Sequence, residues 1–211
     1  MRYPKDHRQQ TRRRIVENAS YGLRQTGADG LSVVDLMELA DLTHGSFYFY
    51  FKSRDALVVE ALALAMDQTI ARWLDLTQGL SAEKGFDAVV ESYLSPRHRN
   101  DLARGCALPA LAADIGRSGP EARGTFAGRL EKMIDIIARL IPKRSSSNAR
   151  QAAASAIATM VGSIVLARAA GDKRLSDALL EAGRQALRTQ AASGGAERPQ
   201  CTEPGFERRK S

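Results

Sequence analysis

Two cysteines in 211 residues, Cys106 and Cys201, are far apart, and one lies in a polar C-terminal stretch. That rules out a disulfide framework and fits a reducing compartment. The three histidines, His7, His44 and His98, are scattered, and there is no zinc-protease, nucleophile-elbow, dinucleotide or phosphate-loop motif. No catalytic residue, metal or cofactor is therefore expected, and the chain does not read as an enzyme. Prolines number only 7 and β-branched runs are few, whereas Ala and Leu abound, so an all-α fold is favoured. The basic N-terminus lacks the apolar run of a signal peptide. The most apolar stretch, Ala152 to Leu166, contains Ser155, Thr159 and Ser163 and is bounded by Arg150 and Arg168. It falls short of the ~20 residues that span a bilayer. It reads as a buried helix, with no membrane partner and a cytoplasmic, nucleoid-associated location.

What the chain does have is positive charge in one place. The net charge is +7 and the pI about 9.7. Within residues 1–14, Arg2, Lys5, Arg8, Arg12, Arg13 and Arg14 face only Asp6, a net of +5, while the tail 193–211 carries +1. The basic character thus belongs mainly to an N-terminal arm. Nucleic acid is the natural partner of such an arm, and a solvated basic tail is the bland alternative.

Aromatic residues make up only 6% of the chain, yet five of them are consecutive, Phe47-Tyr48-Phe49-Tyr50-Phe51. The run closes a stretch, Ser32 to Leu57, that reads as two short helices around a tight turn. Ser32 with Asp35 forms a capping box, and Val33, Leu36, Met37 and Ala40 recur at helical spacing. Asp41 and Leu42 make the turn. Thr43 is a second N-cap candidate and leaves His44, Gly45 and Ser46 on the first turn of the next helix. Free N–H groups and small side chains there suit approach to a phosphate and a major-groove floor. Phe47 and Phe51, four apart, point inward, and Tyr48, Tyr50, Lys52 and Arg54 carry hydroxyls and charge outward. The pattern is a helix-turn-helix. On propensity alone the aromatic run also passes as a strand, but no partner strand appears elsewhere.

In chain order, residues 10–26 form a first helix with Ile15, Val16, Ala19, Gly22 and Leu23 on one face, broken by Gly27 and Gly30. Leu31 is placed as a hydrophobic staple. Ser53 caps a helix over 30 Å long that runs to about Thr77, a lever arm between two domains. Ser81 caps another, ended by Ser95-Pro96. Arg97 to Gly105 reads as loop, followed by helices over Cys106 to Ile115, from a Ser118-Gly119-Pro120-Glu121 capping box to Pro142, over Ser147 to Ala170, and from Leu175 to about Thr189. This makes about nine helices. The domain reading is a flexible basic arm (1–9), a DNA-binding three-helix domain (10–52), a larger helical domain suited to dimerisation (53–192), to which the family resemblance given below adds effector binding, and a disordered tail (193–211). The last two helices are apolar nearly all round and need cover. Small residues at Ala152, Ala156, Met160, Ser163 and Ala167 suit a homodimer interface, with burial inside one subunit as the alternative.

These features together resemble the TetR/AcrR family of bacterial transcriptional regulators. The resemblance rests on the basic arm, the helix pair Ser32 to Ala40 and Thr43 to Phe51, and the run from Phe47 through Lys52-Ser53-Arg54-Asp55-Ala56-Leu57. It is specific over residues 11–62. It implies phosphate contacts at Ser32, Thr43, Tyr48, Tyr50 and Arg54, and base contacts at His44, Gly45 and Ser46. Arg8, Arg12 and Arg13 serve as the DNA arm. His44 departs from the Lys, Arg or Gln often found there, which leaves its preferred base open. The resemblance further implies a dimer on a palindromic operator, repression as the usual mode, and control by an unidentified small-molecule effector. Candidate pocket residues are Trp73, Phe86, Tyr93, His98, Cys106, Leu111, Phe126 and Met133, each also readable as plain core. Cys106, at a probable helix start beside Arg104, is either a low-pKa sensor or an inert buried thiol. The competing function is an all-helical interaction adaptor that does not read DNA.

Overall fold

The computed structural model describes residues 5–28, 30, 32–38, 42–141 and 146–192. The chain forms α1 (Lys5–Thr26), α2 (Val33–Glu38), a 3₁₀ turn (His44–Ser46), α3 (Phe47–Tyr50) and α4 (Arg54–Thr77). Then come α5 (Ala82–Tyr93), α6 (Pro96–Asn100), α7 (Ala107–Arg117), α8 (Pro120–Leu140), α9 (Ser146–Ala169) and α10 (Lys173–Ala192). The expectation of an all-α fold holds, and no strand occurs among the described residues, so the aromatic run is helical. The Leu31 staple, the Asp41 part of the turn, the Pro142 stop, Cys201, the first four residues and the tail lie outside the described residues.

Local chemistry accounts for most of the helix starts. Ser32 and Asp35 form a reciprocal box, with Ser32 N–H donating to Asp35 Oδ2 at 2.8 Å and Asp35 N–H to Ser32 Oγ at 3.2 Å. Those bonds to Ser32 hold the Asp35 carboxyl below its ordinary pKa. Ser53 Oγ accepts from Ala56 N–H and Ser81 Oγ from Lys84 N–H.

Three starts differ from expectation. The first helix begins at Lys5, so residues expected in a flexible arm are helical. Ser95-Pro96 ends α5 but also opens α6, because Ser95 Oγ accepts from His98 N–H and proline fits the first turn; this is the helix read as loop. The Ser118–Glu121 box does not form, since the Ser118 hydroxyl donates back to the Asp114 carbonyl and Gly119 caps α8.

A small core made by Ile15, Ala19, Leu23, Leu36, Met37, Phe47, Phe51 and Leu57 is continuous with the larger one. Two devices dock it there. The first is the length of α4, which packs on α1 at one end and on α5 and α8 at the other. The second is α1 against α7. Gly27 ends α1 at φ +82°, and Ala28 N–H donates to Asp114 Oδ2 of α7 at 2.8 Å. Arg24, only 1% exposed, donates to the Gly105 carbonyl at 3.0 Å and to Gln68 Oε1 at 2.9 Å. The small core is therefore held by the turn before α7 as well as by α4.

Residues Asn148–Ala169 of α9 are long and apolar enough to cross a membrane by composition. Ala153, Ala156, Met160, Ile164 and Ala167 nevertheless lie in the core, mainly against α10 and α8.

Candidate nucleic-acid interface

The helix-turn-helix sorts its side chains by phase. Phe47 and Phe51 are buried with their rings 5.8 Å apart, anchored against α1 and α4 residues of the small core. Half a turn away, Tyr48 is 72% exposed and Phe49 57% exposed. Thr43, Gly45 and Lys52 share the exposed surface, and a β-carbon at Gly45 would meet only open space. The segment before the aromatics is a 3₁₀ turn rather than the start of an α-helix. Its closure comes from the Thr43 carbonyl, which accepts from both Ser46 N–H at 3.0 Å and Ser46 Oγ at 2.7 Å. Thr43 thus contributes its main chain to the turn. The side chain of His44 lies outside what the structure describes.

Some residues expected to contact DNA also make contacts within the chain. Arg8 lies over the Phe49 ring at 4.2 Å and donates to the Phe49 carbonyl at 2.7 Å. Arg12 lies over Phe51 at 4.7 Å and pairs with Glu60 of α4. Both belong to α1 and brace the aromatic segment, while Arg8 and Arg13 are exposed and Arg12 half-buried. Arg54 turns back to the Ala28 carbonyl and Tyr50 packs partly on the core, so neither points fully outward. Phe49, which was not singled out, joins the outer face. Its place two residues from Phe47 in a helix gave that away.

The larger domain holds a cavity of about 450 Å³ between α4, α5, α6 and the turn before α7. Trp73, Tyr93, His98 and Cys106 line it, with Arg72, Arg97, Asp101 and Arg104 supplying charge at its walls. Phe86, Leu111 and Met133 are buried core and Phe126 packs on the core, and none of these four lines this cavity. His98 is locked in one tautomer. Cys106 N–H can only donate and does so to Nε2 at 2.9 Å, which puts the ring proton on Nδ1, given to the Tyr93 carbonyl at 2.7 Å.

Residues 15–61 match the model of the bacterial regulatory proteins, tetR family. The helix-turn-helix stretch is thus that of the tetR family. It is 26% identical over 169 residues to an HTH-type transcriptional regulator of Mycobacterium tuberculosis, itself uncharacterised, covering 76% of this chain and 86% of the relative. Two solved structures share the fold. A TetR transcriptional regulator from Chloroflexus aurantiacus superposes with a TM-score of 0.76 at 23% identity, covering 89% of this chain and 96% of its own. Reduced Escherichia coli NemR gives 0.73 at 19% identity, with coverage of 85% and 96%.

The stripe expected at a dimer interface faces inward. Ala152, Ala156, Met160 and Ala167 are buried inside the one chain, and Ser163 sits against Gly183 of α10 so closely that a β-carbon there would overlap its hydroxyl. A helix apolar all round has two candidate faces, and the structure turns the other one outward. Cys106 likewise departs from the sensor reading. Burial pushes its thiol pKa up, outweighing its hydrogen bonds and the charge of Arg72, so the reactive thiolate is disfavoured.

Burial also lowers His98 from 6.5 to about 4. Between those values the unfolded chain takes up a proton that the folded chain refuses. The stability contributed by the neutral ring is therefore complete above pH 6.5 and lost as pH falls through about 4. At ~1.4 kcal/mol per tenfold change the loss is about 3 kcal/mol. Urea unfolding at pH 7 and pH 4.5 should show it for the native chain, and His98→Gln should flatten the difference; equal pH dependence in both would remove His98 as the cause.

Proposed function

We propose that this TetR-family chain regulates transcription by binding DNA as a homodimer, one recognition segment per major groove, with a small molecule in the C-terminal cavity changing its affinity. The observation that carries the reading is the phase of the aromatic run. Phe47 and Phe51 are spent on the core, and Thr43, Gly45, Tyr48, Phe49 and Lys52 form one solvent-facing surface. Tyr48 and Lys52 reach phosphates, and Gly45 lets the backbone approach the base edges that His44 and Ser46 address.

The outward faces of the last two helices supply the surface for a second copy. Val165, Leu166 and Leu175 are exposed large apolar side chains, and Ala154, Ala158, Ala178 and Ala182 are exposed along the same two helices. A monomeric molar mass by light scattering would count against this pairing. Leu166→Glu should convert a dimer into a monomer and weaken operator binding with it.

The deciding experiment is titration with duplex DNA from about 50 to 200 mM salt. If a dimer neutralises about six phosphates, affinity falls by about 10³ over that range. Tyr48→Phe and Lys52→Ala weaken binding on every sequence, whereas His44→Ala relaxes preference at one base pair. Failure to bind duplex at the lowest salt would favour an interaction adaptor.

A further inference from the structure

The cavity beside α7 has an unusual charge balance. Three guanidinium groups line it, Arg72, Arg97 and Arg104, against a single carboxylate, Asp101. Asp101 is partly committed already, since its Oδ1 accepts the Arg104 backbone N–H at 3.1 Å. Just behind the wall are two more arginines, Arg24 and Arg168, whose hydrogen-bond partners are carbonyl and hydroxyl oxygens and the Gln68 amide. No carboxylate pairs with either of them among the described residues. Buried cationic charge held by neutral acceptors alone is costly, and an anion nearby offsets that cost.

A second feature points into the same space. Tyr93 lines the cavity, is only 4% exposed, and its hydroxyl makes no hydrogen bond of normal geometry. Its polar neighbour is the Cys106 thiol, a weak partner for a phenol. Such a hydroxyl takes a polar partner, water or ligand, wherever one reaches it. The remaining wall, Thr69, Trp73 and Tyr93, with the two rings 6.0 Å apart, suits a flat or narrow apolar body.

We infer that this cavity binds a small organic carboxylate, its anionic head held by Arg72, Arg97 and Arg104 and a second polar atom meeting the Tyr93 hydroxyl. The same site is wired to the reading domain. Arg72 of α4 donates to the Arg104 carbonyl at 3.0 Å, and Arg24 of α1 donates to the next carbonyl, Gly105. An anion that draws Arg72 and Arg104 together acts on the turn that α1 grips. The inference deepens the effector reading proposed above; its ligand chemistry is tested independently of DNA binding.

The test uses the full chain with two acids, 6-hydroxy-2-naphthoate and decanoate, each beside its neutral primary amide, by titration calorimetry. The acids bind at least about tenfold tighter than the amides, and Arg72→Gln/Arg104→Gln erases that preference. Tyr93→Phe weakens the hydroxynaphthoate but leaves decanoate and the unliganded melting temperature unchanged or the latter raised, a pattern that a merely structural tyrosine does not give. Amides matching acids, or neither acid binding at about 1 mM, overturns the inference whatever the DNA result. Acid binding by a chain that ignores duplex DNA leaves the anion site standing and overturns the regulator reading alone.

Discussion

Phe47→Ala is expected to remove about 4 kcal/mol of folding stability and, with it, all duplex binding, although the ring never faces DNA. Phe47 is 0% exposed and sits where α1, α3 and α4 converge, packed on Phe51 and in edge contact with Tyr48. The domain around it is small, so little surrounding structure can relax into the gap. Phe49→Ala is the matched control. That ring is exposed and capped by Arg8, so its loss should cost under about 1 kcal/mol of stability while still reducing DNA affinity. Denaturant unfolding of both variants, followed by duplex titration, separates the two roles. Comparable destabilisation by both would mean the inward and outward phases have been misassigned.

Arg24→Ala should cost about 3 kcal/mol and loosen the first turn of α7. The side chain donates to the Ser20 carbonyl, Ser20 Oγ, Gln68 Oε1 and the Gly105 carbonyl, and its truncation strands several of these in a buried place. Burial, followed by repulsion from Arg72, already lowers the Arg24 pKa. Part of the lost bonding is thus offset by removing an uncompensated charge, which keeps the figure below the sum of its bonds. Amide exchange gives the specific readout. Protection at Cys106 and Ala107, beside the Gly105 acceptor, should fall more than protection in the middle of α8. Uniform loss across both helices would show a general destabilisation with no link between α1 and the cavity turn.

How much of this was legible before any coordinates depended on how local each signal is. Ser32 with Asp35, Ser53 and Ser81 announced their helices because a cap needs only residues three apart. The Phe47/Phe51 spacing gives the inward phase for the same reason, whereas the outward place of Phe49 goes unread. Pro96 was read as a stop, although a serine ahead of a proline is equally a start, and α6 was lost on that choice.

Phase failed where periodicity vanished. In α9, Ala152 and Ala156 face the core while Ala154 and Ala158 face solvent, and no property of alanine distinguishes them. The cavity is half legible. Trp73, Tyr93, His98 and Cys106 stand out by their aromatic, imidazole and thiol groups, but Arg72, Arg97 and Arg104 look like ordinary surface charge until α4 and the turn before α7 are brought together. The Arg24 link is 81 residues long in sequence and has no local signature at all.

That link bears on modular engineering. Transplanting residues 1–52 onto the body of another regulator would carry Arg24 across but leave behind its acceptors at Gln68 and Gly105, and Ala28 would arrive without Asp114. A hybrid built at the obvious seam starts with a stranded cation and an orphaned amide at its junction. Moving the graft to include matching partners on the recipient's fourth and seventh helices is the sounder design.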